Sequence, residues 1–276
     1  MKYPSMTVLQ TLRAELTEAT SGLLATAASL SDADVAAPSR LPGWSRGHVL
    51  THLARNADSH VNLLTWARTG VPTPQYPDLR ARTAGIEAGA HRPAAGQLAD
   101  LRESAARLDA AVDALPEAAW RAQVGGLRPP HHPAWYVLVR RLRELGMHHV
   151  DLGAGYGPAD WPETFVRREL HDCLRTWPYD RSTVSAVRLL APADPAASRP
   201  GEDGPGEDGR ASEWRELGDG PMVEGTPVDV LAWLTGRSAG EGVKVVPGGR
   251  ACPPPPPWLT TTAPADLPAT PPKDYP

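Results

Sequence analysis

Four stretches ahead of Gly153 repeat apolar side chains at α-helical spacing, and this pattern constrains the fold more than any other feature of the chain. Thr7 to Leu30 carries Val8, Leu9, Leu12, Leu16, Leu23 and Leu24 on one face. Leu41-Pro-Gly-Trp-Ser45 is turn chemistry ending in an N-cap serine, which opens a second helix over about Arg46 to Arg68. Its core face is Val49, Leu50, Leu53, Ala57, Val61 and Leu64. Helical character returns from Asp78 to Leu115, weakening at Gly89 to Pro93, and a last helix spans about Ala134 to Leu152. The run Gly153-Ala-Gly-Tyr-Gly157 stops it. Long amphipathic helices joined by short connections predict a bundle. One Phe against nine Trp, with abundant Ala and Leu, fits packed helices better than an aromatic-rich sheet.

The texture then changes. Trp161 to Trp177 reads as a helix, Thr183 to Leu190, Glu213 to Leu217 and Gly242 to Val246 as short strands, and Pro227 to Thr235 as a short helix. The expected organisation is a helical bundle over residues 1–158, a small α+β domain over 159–250, and a disordered or polyproline tail over 251–276. That tail holds ten of the 31 prolines, five of them in succession. The duplicated acidic segment Gly201 to Gly209 is expected to be a solvated loop.

Net charge is -4 and no basic stripe appears, which argues against a nucleic-acid partner. No segment approaches the ~20 apolar residues of a membrane span, and Met1 to Thr11 lacks the pattern of a signal peptide. Two cysteines without CxxC spacing cannot build a disulfide framework. A cytoplasmic protein without a membrane partner is expected.

The chemistry concentrates in Arg143-Glu-Leu-Gly-Met-His-His-Val-Asp151. Residues four apart differ by about 40° around a helix, so Glu144 and His148 share a face, and Asp151 returns to it within about 20°. Leu138, Leu142 and Leu145 border that face, which turns the acidic and imidazole groups toward the bundle interior. A carboxylate there needs compensation, and a metal cation supplies it. His48 and His52, four apart on the second helix, each offer the completing imidazole. Three protein ligands leave a coordination position open, the mark of a catalytic site. Two imidazoles and a carboxylate suit zinc first, with nickel or iron also compatible. The competing reading makes Arg141, Arg143 and Glu144 a surface ion network and leaves His60, His91, His131 and His132 solvated.

Leu41 to Asn56 and Leu142 to Leu152, taken together, resemble the mycothiol-dependent maleylpyruvate isomerase family of DinB-like metalloenzymes. Val230-Leu-Ala-Trp-Leu-Thr-Gly-Arg237 is similar to the end of that family's C-terminal domain. The resemblance implies a DinB-like four-helix bundle followed by a small sterol-carrier-like α+β domain. It implies His52, Glu144 and His148 as metal ligands, so that His52 is preferred over His48. Arg237 then becomes a catalytic and substrate-binding candidate, with Arg82 and Asp151 as further pocket residues. The implied cofactors are a divalent metal, zinc first, and mycothiol, and the implied activity is cis-trans isomerisation of maleylpyruvate to fumarylpyruvate. The same bundle could instead serve a mycothiol S-transferase, or a binding module without turnover. Gly146-Met147, where the family more often has bulkier or charged residues, departs from the pattern.

Overall fold

A computed structural model of the chain describes residues 7–126, 129–190, 212–257 and 263–276. They form two compact units, Met1–Gly157 with Thr261–Pro276, and Pro158–Thr260.

The first unit contains α1 (Val8–Ala28), α2 (Asp32–Ala36), α3 (Arg46–Thr69), α4 (Leu79–Ala90), α5 (Ala94–Asp113), the paired two-residue strands β1 (Gln123–Val124) and β2 (His132–Pro133), and α6 (Tyr136–Asp151). Local chemistry fixes the ends. Thr7, Ser31 and Ser45 each accept a bond from the third backbone N–H of their helix, and the side chain at that third position bonds back in a capping box. Gly70, at φ 74°, ends α3 in a left-handed conformation that a side chain would resist.

The long helical stretch expected from Asp78 to Leu115 is two helices. Pro93 has no N–H to continue the first and is preset to begin the second, so the weak spot at Gly89 to Pro93 is a break. The helices α1, α3, α5 and α6 make the bundle, and α4 packs on α3. Leu12, Leu16 and Leu23 of α1 meet Val49, Leu50, Leu53 and Ala57 of α3 and Val137, Leu138, Leu142 and Leu145 of α6 in one buried core. Each of these leucine and valine side chains contributes about 1.5–3 kcal/mol on burial.

The second unit contains α7 (Glu163–Arg175), β3 (Ala186–Leu189), β4 (Ser212–Trp214), β5 (Met222–Gly225), α8 (Pro227–Leu234) and β6 (Lys244–Val246). The sheet order is β4-β3-β5-β6, with β3 and β5 parallel and the other pairs antiparallel. The sequence reading missed β5, a four-residue strand squeezed between Pro221 and the helix cap Thr226, which is too short to show alternation. Val187 and Val223 of the sheet and Leu231 and Trp233 of α8 are fully buried. The acidic segment Gly201 to Gly209 lies outside the described residues.

The proline-rich tail makes specific contacts where it is described. Trp135 is buried and its indole N–H needs an acceptor, which the Pro268 carbonyl supplies at 2.9 Å. The Tyr275 ring packs 5.1 Å from Trp135, and Ala263 joins the core of the first unit. In the second unit, Trp233 donates to the Pro253 carbonyl at 3.0 Å and Thr183 Oγ1 to the Pro254 carbonyl at 2.8 Å. Proline lacks the donor but keeps the acceptor, so a proline-rich strand can still satisfy buried indoles and hydroxyls.

Candidate metal centre

Helix α3 begins at Ser45, and two turns later its inner face presents His52, only 3 % exposed. Glu144 and His148 stand on the facing side of α6. His52 Nε2 is 3.0 Å from Glu144 Oε2 and 3.2 Å from His148 Nε2, while His148 Nε2 is 3.4 Å from Glu144 Oε2. Three donor atoms from two helices therefore converge on one point.

The spacing tests whether an ion would fit. Zinc–ligand bonds of about 2.0–2.1 Å at tetrahedral angles put neighbouring ligand atoms about 3.3 Å apart. The three measured separations bracket that value. The donor set fits a small divalent cation.

The next layer of residues orients the donors. Asp151 Oδ2 lies 2.8 Å from His148 Nδ1 and accepts its proton, so that in the neutral ring the lone pair is on the inward-facing Nε2. Arg82 of α4 places NH2 3.3 Å from His52 Nδ1. In that contact Nδ1 accepts, and the ring proton sits on Nε2 facing Glu144. Ligation through Nε2 requires the other tautomer, which releases Arg82 from the ring.

Electrostatics agree with this arrangement. Burial drives the His52 pKa down to about 4 against the pull of Glu144, so the ring is neutral at pH 7. Burial pushes the Glu144 carboxyl up, but hydrogen bonds from His148 and His52 outweigh it and hold the group well below the usual carboxylate range. Burial opposes charging His148 too, yet Asp151 and Glu144 together raise its pKa above the ordinary value. One anion and one basic imidazole thus share a partly buried site, their side chains 25 % and 18 % exposed.

The remaining sequence-selected residues fall as follows. Arg82 and Asp151 both join the cluster, Asp151 as a partner of His148. Arg237 belongs to the second unit, just past α8, where NH1 donates to the Thr235 carbonyl at 2.6 Å. Arg141 and Arg143, which the competing reading put on the surface, are buried. Arg141 donates to the Leu53 carbonyl and Asn56 Oδ1, and Arg143 NH2 lies 3.4 Å from Tyr136 Oη. His60 and His132 are also buried, against the solvated expectation, and burial drives both pKa values down. Tertiary packing around them decides this, which local sequence did not reveal. His131 and His91 are exposed as expected.

Sequence reasoning missed Trp44. Its ring lies 5.7 Å from that of His52 and 6.1 Å from that of His48, in the turn that starts α3. The only signal was an aromatic directly before the N-cap serine.

Comparison with known proteins follows the same line. The family model described as the mycothiol maleylpyruvate isomerase N-terminal domain matches residues 16–153, and the model of that family's C-terminal domain matches residues 160–255. Among solved structures, the chain is similar to the crystal structure of the mycothiol-dependent maleylpyruvate isomerase, with 29% identity and a TM-score of 0.74 over 92% of this chain and 100% of the other. It is similar to a histidine-to-alanine mutant of that enzyme at 28% identity and the same TM-score and coverage. No protein of curated function matches it significantly in sequence. With both family models matched in order, one on the helical bundle and one on the α+β unit, the chain belongs to the mycothiol maleylpyruvate isomerase family.

Proposed function

We propose that the chain is a metal- and mycothiol-dependent cis-trans isomerase that converts maleylpyruvate to fumarylpyruvate, with His52, Glu144 and His148 as the metal ligands. The observation that carries this reading is the convergence of two imidazole nitrogens and a carboxylate oxygen at 3.0 to 3.4 Å, inside a chain of this family. A divalent ion at such a site lowers the pKa of a thiol from about 8.5, so that a nucleophile exists at neutral pH for reversible addition to the cis double bond.

The protein's own residues have separable tasks. His52 is kept neutral by burial and keeps a lone pair for ligation at pH 7. Glu144 stays anionic and would neutralise part of the ion's charge at this partly buried site. Asp151 holds the proton on His148 Nδ1 and fixes the ring's orientation. Arg82, once released from His52 Nδ1, has a guanidinium beside the site that suits a substrate carboxylate. Arg237 is proposed to orient a second carboxylate or to steady the enolate that develops during addition. The expected setting is the cytoplasm, where a low-molecular-weight thiol is available, and no helix of the described residues is long and apolar enough to cross a membrane.

The test supplies maleylpyruvate and mycothiol to the purified, zinc-loaded chain and follows loss of the cis isomer together with free thiol. Isomerisation with full recovery of the thiol supports the proposal. Stoichiometric consumption of the thiol replaces it with an S-transferase, and no turnover by a zinc-loaded chain leaves a binding module.

A further inference from the structure

The donor pattern of the metal centre occurs twice. Glu87 and His91 stand four residues apart at the end of α4, as Glu144 and His148 do on α6. Helix α3 supplies one histidine to each pair, His52 to the second and His48, one turn earlier, to the first. One ligand atom from each of His48, Glu87 and His91 lies within 4.8 Å of the others. His48 Nε2 is 3.5 Å from Glu87 Oε2, and the His48 and His91 rings meet edge to face at 5.5 Å and 85°.

Backbone packing sets this juxtaposition. A methyl at Gly47 would overlap the Ala90 carbonyl oxygen, and one at Gly89 would run into the Thr51 side chain. The two glycines let α3 and α4 approach closely, so His48 is held against the end of α4. A cavity of about 340 Å³ opens beside it, lined by Asp32, Ser45, His48 and His91 among others. That is room for the waters that complete a coordination shell.

We propose that His48, Glu87 and His91 form a second, weaker divalent transition-metal site on the same helix as the first. Two imidazoles and one carboxylate select zinc, nickel or copper(II) over magnesium or calcium. Two features weaken it relative to the inner centre. Glu87 and His91 are exposed, so ordering their side chains costs rotamer entropy. His48 Nδ1 lies 3.2 Å from the Ser45 backbone N–H, a contact that favours the proton on Nε2. Ligation through Nε2 moves the proton to Nδ1, where Ser45 Oγ at 2.7 Å accepts it and the backbone contact is given up.

The test is calorimetric titration of the full chain, stripped with a chelator, with Zn²⁺. The unaltered chain is expected to show a tight and a weak class of site. His91→Ala and Glu87→Gln, both on exposed side chains, should weaken the second class at least ~10-fold and leave the tight class unchanged. His52→Ala should do the reverse. A single class in the unaltered chain, or a weak class that survives both His91→Ala and Glu87→Gln, overturns the proposal. Turnover is not part of the readout, so failure here is distinct from failure of the isomerase reading.

Discussion

The cluster at His52 and the cluster at His48 use the same three donors, and they differ in what surrounds those donors. Around His52 the helices bury the imidazole to 3 % exposure, Asp151 presets one ring, and Glu144 stays anionic. Around His48 the carboxylate and the second imidazole stand in water, and the His48 ring already serves a helix cap. Ligand identity does not distinguish them. Orientation of a ring by a dedicated partner, and a carboxylate 25 % rather than 56 % exposed, would separate a tight metal site from one that shares its donors with other duties.

Removing the inner imidazole should break this contrast most severely. His52→Ala should abolish the tight zinc class and with it turnover, a loss of roughly 10²-fold or more in metal affinity, since a ligand weighs more than the group that orients it. Zinc content after dialysis checks this, and a variant that retains a full equivalent in the tight class refutes the ligand assignment. Asp151→Asn tests the preset ring. It should lower zinc affinity by about 10–100-fold while leaving the weak class alone. Equal weakening of both classes would show that Asp151 acts on the fold and not on His148.

A smaller effect sharpens the outer cluster. Gly47→Ala forces a methyl into the Ala90 carbonyl, and the resulting strain should cost about 1–3 kcal/mol in chemical denaturation. The weak zinc class should soften with it, because α4 must retreat from His48. The slightest change is expected on mild acidification. The raised pKa of His148 means that this ring holds a proton at pH values where an ordinary histidine has released it. Zinc must displace that proton, so affinity at the inner site should rise with pH up to the shifted value and fall below it, by no more than about tenfold per pH unit for one proton released. A pH-independent zinc affinity between pH 6 and 8 contradicts that assignment (both limits being ~1 unit from neutrality).

Much of the bundle was legible because helical periodicity is a local property. Leu12, Leu16 and Leu23, or Val49, Leu50 and Leu53, announce their own buried face, and Ser45 announces its own helix start. The same reasoning placed Glu144, His148 and Asp151 on one face of α6, since four- and seven-residue steps fix azimuth without any neighbour. It failed where a neighbour decides. Pro93 looked like a weakening and is a break. β5 is a strand only because β3 and β6 flank it. The prolines of the tail looked unable to join a fold, yet their carbonyls satisfy Trp135 and Trp233. Arg141, Arg143, His60 and His132 looked exposed by type and are buried by their surroundings.

By itself, then, the sequence determined which residues share a helical face, where most helices begin and end, and that two histidines on α3 and a Glu-x-x-x-His pair on α6 had the composition of a metal site. Only the tertiary structure decided that His52 meets Glu144 and His148 while His48 meets Glu87 and His91. The reason is that periodicity along one helix sets direction but not partner. The partner depends on how closely two backbones approach, and here Gly47 and Gly89, which carry no side chain to signal their role, set that approach between α3 and α4.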